Sequence, residues 1–191
     1  MTPAEYVQLK AFARVDGLLL ALLWSASFAC YILGLSQPML AMAALGMVVA
    51  TPFVVGSRLR RFRDEARQGI ISLKRGWAYA VLVFFYGGVL LALVQYVYLA
   101  YMDKGYLAMA LGKLLSSPEN QLALSQLGLG DQVAESMALM EQTRPIDFVL
   151  NMLTVNILAG IVLGLPIAAV MRRQDNNNDN NNGHINSNPP V

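Results

Sequence analysis

Histidine and cysteine are almost missing: the 191-residue chain has one of each, His184 and Cys30. A lone cysteine excludes an intramolecular disulfide framework and a cysteine-rich metal site, and Cys30 is expected to be an inert buried thiol. His184 has no fixed carboxylate, thiol or second imidazole near it in sequence, which argues against a ligand or catalytic role. Charge is scarce as well. Only 14% of residues are charged, where a soluble domain carries about 25%. The formal net charge of +2 gives no basis for nucleic-acid binding. What fills the chain is apolar, 56% of all residues, and that points to lipid as the main solvent.

Gly17 to Ser57 contains no charged residue at all, room for two crossings of about 20 residues each. Ser36-Gln37-Pro38 punctuates it, so spans are predicted at 17–35 and 38–57, after a polar lead (residues 1–16) with Lys10 and Arg14. A third span is predicted at 76–102, with Trp77 and Tyr79 at one end and Tyr96, Tyr98 and Tyr101 at the other, as the two headgroup layers select. The fourth, 148–171, stops at Arg172-Arg173. The fold class is therefore all-α: a polytopic membrane protein with one four-helix transmembrane domain over 1–173. An Asn-rich tail, 174–191, is expected to be disordered. The apolar run does begin after basic residues, and Ser27-Phe28-Ala29-Cys30 has the Ala-Cys of a lipoprotein cleavage site. Bulky Phe28 and the continuing apolar run argue against cleavage.

The densest charge is a predicted cytoplasmic loop, 58–75. Arg58, Arg60, Arg61, Arg63, Arg67, Lys74 and Arg75 face only Asp64 and Glu65 there. Basic residues in short loops stay on the cytoplasmic side, and eleven of the fourteen fall on the side of this loop and the termini. Both termini are thus expected in the cytoplasm of a bacterial inner membrane, with anionic phospholipid headgroups meeting the seven basic side chains. The outer segment, 103–147, reads as short helices. Ser117-Pro118 starts one, and Val133, Met137 and Met140 line one apolar face of the next. That face either lies on the membrane or docks a partner.

The spans carry no Asp, Glu, Lys, Arg or His away from their ends. Pumps and ion-coupled carriers usually need such a residue at depth. Intramembrane hydrolysis needs an activated nucleophile or paired acids; Ser25 and Ser27 lack a base, and Asp16 and Asp147 belong to opposite membrane sides. No catalytic, metal or cofactor residue is assigned, and no cofactor is expected. The polar residues inside the spans are Gln95, Asn151, Thr154 and Asn156. Counting from the span ends puts Gln95 and Asn156 at matching depth, as interhelical glue or as a small polar pocket. Gly160-x-x-x-Gly164 offers a flat strip for helix packing or an oligomer contact, echoed by Gly88/Ala92 and Gly46/Ala50. Pro52 and Pro166 are expected to kink their helices.

Gly69-Ile70-Ile71-Ser72-Leu73 with Gly76, then Tyr98, Tyr101 and Asp103, a Met-rich outer helix, Pro145, Gly160 and the Arg172-Arg173 stop form a recognisable series. Over about 16–173 the layout resembles an uncharacterised inner-membrane family of Bacteroidetes, domain of unknown function 4199. The Asn-rich tail and the weakly charged outer segment depart from that pattern. The resemblance implies four membrane helices and brings no activity, substrate or catalytic residue. It also implies an accessory role in envelope glycan or lipid assembly, since members are encoded near glycosyltransferases acting on lipid carriers. Two functions are open: a non-catalytic scaffold binding another membrane protein or itself, and a small carrier or lipid-binding protein using the polar pocket.

Overall fold

The computed structural model describes residues 2–173, without the side chains of Met140 and Glu141. His184 and the Asn-rich tail lie outside the described residues. Four helices are long and apolar enough to cross a membrane: α1 (Pro3–Gly34), α2 (Pro38–Ala66), α3 (Leu73–Val97, continued to Met102 by a π-helical turn) and α7 (Pro145–Met171). Three short helices intervene: α4 (Tyr106–Leu115), α5 (Pro118–Gln126) and α6 (Gly130–Gln142).

Two elements differ from the sequence reading. Residues 3–16 are helical, because Thr2-Pro3-Ala4-Glu5 is a capping box. Glu5 N donates to Thr2 Oγ1 (3.3 Å) while Thr2 N donates to the Glu5 carboxylate (2.9 Å). The basic stretch is also helical as far as Ala66. Arginine is a good helix former, and the i,i+4 pairs Arg61–Glu65 (2.8 Å) and Arg60–Asp64 (3.9 Å) support it. The connection shrinks to residues 67–72, where Gln68 and Gly69 adopt positive φ and stop the helix. Ile71 then exchanges backbone hydrogen bonds with Arg173, tying this connection to the end of α7.

The four long helices stand in a row, α2–α1–α3–α7. Helices α1 and α3 run parallel, and three contacts fix their register. Glu5 pairs with Arg75, Gly17 packs on Tyr86 and Gly87, and Phe28 meets Tyr98 edge-on at 5.5 Å. Gly17 thus lies beside Gly87, about 16 Å along α3 from Gly76. The charged half of α1 and the arginine-rich half of α2 therefore flank apolar residues of α3 rather than projecting beyond them. Helix α7 closes on α3 through missing side chains. A Cβ on Gly160 would sit 2.5 Å from Phe84 Cβ, and one on Gly164 3.2–3.3 Å from Trp77 and Ala80. The Gly160/Gly164 strip thus packs inside the chain.

Two glycine variants test this packing. Gly160→Ala should destabilise the bundle by about 1–3 kcal/mol through overpacking. Gly46→Ala should be neutral or slightly stabilising, since nothing lies within 4 Å of its Cβ position. Thermal unfolding in one detergent reads both, and equal effects would contradict the α3–α7 contact.

Candidate functional site

Helices α2 and α7 form the ends of the row and meet near the basic end. A Cβ on Gly56 would lie 3.4 Å from Met171 Cε and 3.8 Å from Ile167 Cγ2, and Arg63 Nη1 donates to the Met171 carbonyl at 3.2 Å. Towards the end covered by α4–α6, a half-open cavity of about 550 Å³ separates them. Its floor is α1 and α3 (Trp24, Phe28, Phe84, Leu91) and its walls are α2 (Ala41 to Thr51) and α7 (Asn156, Ala159, Leu163). The walls are small or aliphatic, so nothing fills the gap.

The polar residues of the spans divide. Gln95 and Asn156 both line this groove, but no hydrogen bond joins them. Their depths also differ: Asn156 packs opposite Gly88, its Cβ 3.5 Å from a Gly88 Cβ position. Gln95 lies seven residues beyond Gly88, about 10 Å nearer the α4–α6 end. Counting from apparent span ends misplaced the pair; α7 begins at Pro145, ahead of the span predicted from 148. Asn151 and Thr154 are exposed on the outside of α7, where Thr154 Oγ1 donates back to the Leu150 carbonyl (2.9 Å). Three other polar residues of the groove, Trp24, Ser27 and Thr51, hold α1 to α2. Trp24 Nε1 donates to Thr51 Oγ1 (2.9 Å), and Ser27 Oγ donates to the Ala44 carbonyl (3.0 Å).

Beyond the groove's inner end lies a buried polar cluster. Asp16 of α1 is 6% exposed. It accepts a hydrogen bond from the Tyr79 hydroxyl of α3 and pairs with Arg58 of α2 at 3.4 Å. Phe62 stacks on the Tyr79 ring, centroids 4.9 Å apart. Expected at the cytoplasmic edge, Asp16 instead sits well along the apolar stretch of α3. The other cations are also engaged: Arg60 and Arg63 with Asp64, Arg61 with Glu65, and Arg67 and Arg75 with Glu5. Lys74 is exposed. Six of the seven basic residues thus have a carboxylate neighbour within the chain itself, shared among Glu5, Asp16, Asp64 and Glu65.

Helix α4 sits beside the α1–α2 turn. Asp103 caps α4 by accepting from Gly105 N and Leu107 N (3.1 and 3.0 Å), and Ser36 bonds the Tyr106 hydroxyl (2.9 Å). Val133 and Met137 turn towards α4 and α5, lining a shallow cavity with Gly112 and Leu124. The expected partner face is therefore met partly from within the chain. The side chain of Met140 lies outside the described residues. Among the described residues, no three His, Cys, Asp or Glu side chains gather as a metal site would require.

A bundle of four apolar helices with this basic connection and outer helical layer has a counterpart. The profile of the family described as "Protein of unknown function (DUF4199)" matches residues 16–173. The chain belongs to that family. No curated protein and no solved structure matches it. Membership in DUF4199 carries the fold domain and leaves function to be argued from the groove.

The cluster has a measurable weight. Asp16→Ala should cost about 3 kcal/mol, since it leaves the Arg58 guanidinium without its acid. Tyr79→Phe should cost about 1–2 kcal/mol. Unfolding of Asp16→Ala, Arg58→Ala and the double variant should give a coupling of about 0.5–3 kcal/mol; strict additivity would show that the pair does not interact.

Proposed function

We propose that this protein is a non-catalytic membrane component that holds the apolar part of a lipid-like molecule in the groove between α2 and α7. The observation that supports this best is the groove itself. Its volume falls within the range of small-molecule sites, about 300–1,000 Å³, and its lining is apolar with a few polar groups, as such sites are. None of the lining residues is ionisable near neutral pH, and Ser27 has no base to activate it. That composition suits holding a molecule rather than transforming one. The basic end favours the cytoplasmic side of a bacterial inner membrane, which would place the groove in the outer half of the bilayer.

An accessory role in envelope lipid or glycan assembly is compatible with this chemistry. The protein would keep an amphiphile beside another membrane protein. Helices α4–α6, which expose Met109, Leu114, Leu122 and Leu139, offer the contact surface for such a partner.

Filling the groove tests the reading. Ala159→Phe should lower the amount of lipid that co-purifies in mild detergent by about tenfold, equivalent to about 1.4 kcal/mol, without loss of the folded bundle. Native mass spectrometry reads the bound lipid and thermal unfolding the fold. Unchanged lipid retention in a folded Ala159→Phe protein would contradict the proposal.

A further inference from the structure

We infer that the molecule in the groove is an uncharged lipid bearing a free hydroxyl, and that Gln95 receives this hydroxyl. The inference rests on the groove reading above and names the chemistry of its occupant. Gln95 is only 8% exposed, and its Oε1 is fully buried with no hydrogen-bond partner among the described residues. Leaving a buried carbonyl oxygen unpaired costs about 1–3 kcal/mol, so native proteins rarely do it. A partner from outside the chain removes that cost. The amide presents both an acceptor and donors, and a hydroxyl, itself donor and acceptor, is the natural complement.

The rest of the groove narrows the choice. The Trp24 indole and the Ser27 hydroxyl already donate across to α2, and Thr51, which accepts from Trp24, donates back to the Met47 carbonyl within α2. That leaves the amides of Gln95 and Asn156, the Tyr31 hydroxyl and the acceptor side of the Ser27 hydroxyl to read a ligand. No cation lines the groove, and a phosphate or carboxylate placed there would be a buried charge without a partner. Arg58 to Arg75, which could pair with an anion, belong to the opposite end of the bundle. The head is therefore neutral.

Orientation follows as well. Gln95 lies in the last turn of α3, next to the π turn. From there the apolar lining runs down to Phe84, about 16 Å along the helix. The hydroxyl head sits at Gln95 and a single chain extends towards Phe84 and Leu163. A diacylglycerol is the simplest probe of this class, with one tail in the groove and the other in the bilayer. Its 3-acetyl ester keeps both tails and replaces the hydroxyl donor with an acetyl ester that cannot donate.

The test uses the full chain in mild detergent and compares retention of diacylglycerol, its 3-acetyl ester and phosphatidic acid with the same tails, by native mass spectrometry. Wild type should retain diacylglycerol about tenfold better than either competitor, a difference of about 1.4 kcal/mol. Gln95→Leu should bring alcohol and ester to equality, with the tails still bound. If wild type holds alcohol and ester equally, Gln95 does not read a hydroxyl; the inference falls while the groove reading stands. A preference for phosphatidic acid overturns the neutral head. If no lipid is retained, the groove reading falls and takes this inference with it. The ranking of the three lipids needs only the wild-type protein, so a misfolded Gln95→Leu variant would not blunt the test.

Discussion

The contact between Asp16, Arg58 and Tyr79 sets the geometry on which the other parts depend. It joins α1, α2 and α3 at one level, beside apolar residues of α3. A carboxylate there is tolerable only with its guanidinium and its phenol in place. Such a requirement selects one register for the α1–α2 hairpin and one for the parallel α1–α3 pair. With those registers set, Trp24 meets Thr51 and Ser27 meets the Ala44 carbonyl, and Phe62 closes over the Tyr79 ring.

Helix α7 is held differently. Against a lipid solvent, burial of apolar side chains gives no drive for helices to associate, and close packing has to supply it. Gly160 and Gly164 let α7 approach Phe84, Ala80 and Trp77, while the Trp77 indole donates to the Ile161 carbonyl (3.0 Å). Near the basic end Arg63 and the Ile71–Arg173 bridge fasten α7 to the α2–α3 connection. No comparable fastening reaches its other half, and α2 opposite presents small residues such as Ala41 and Ala44. The groove is the consequence: a row of helices bound tightly side to side and joined across its ends at one end only.

Much of this was legible in the residues. Three uncharged runs, the first divided at Ser36-Gln37-Pro38, specify the four long helices, Pro38 and Ser117-Pro118 mark helix starts, and Gly160/Gly164 mark a packing strip. The α1 extension was legible but missed, since Thr2-Pro3-Ala4-Glu5 spells out a capping box. The Asp16–Arg58 pair was also within reach. A hairpin turning at residues 36–38 places position 16 opposite position 58, as it places 24 near 51. Treating the arginines as a solvated loop hid that symmetry. The offset between Gln95 and Asn156 was not legible, because it depends on how far α7 slides along α3, which Phe84 and the glycines decide in three dimensions. Nor does local pattern reveal that Gln95 Oε1 ends without a partner.

Paired cysteines in native membranes test whether α2 diverges from α7. In a Cys30→Ser background, Gly56→Cys with Ile167→Cys probes the end where the two helices meet. Val48→Cys with Leu163→Cys probes them across the groove. Mild oxidation should cross-link the first pair efficiently and leave the second almost untouched, since a disulfide needs Cβ atoms about 3.5–4.5 Å apart. Equal cross-linking of both pairs would mean that α2 and α7 close along their whole length and that the groove is absent in the membrane.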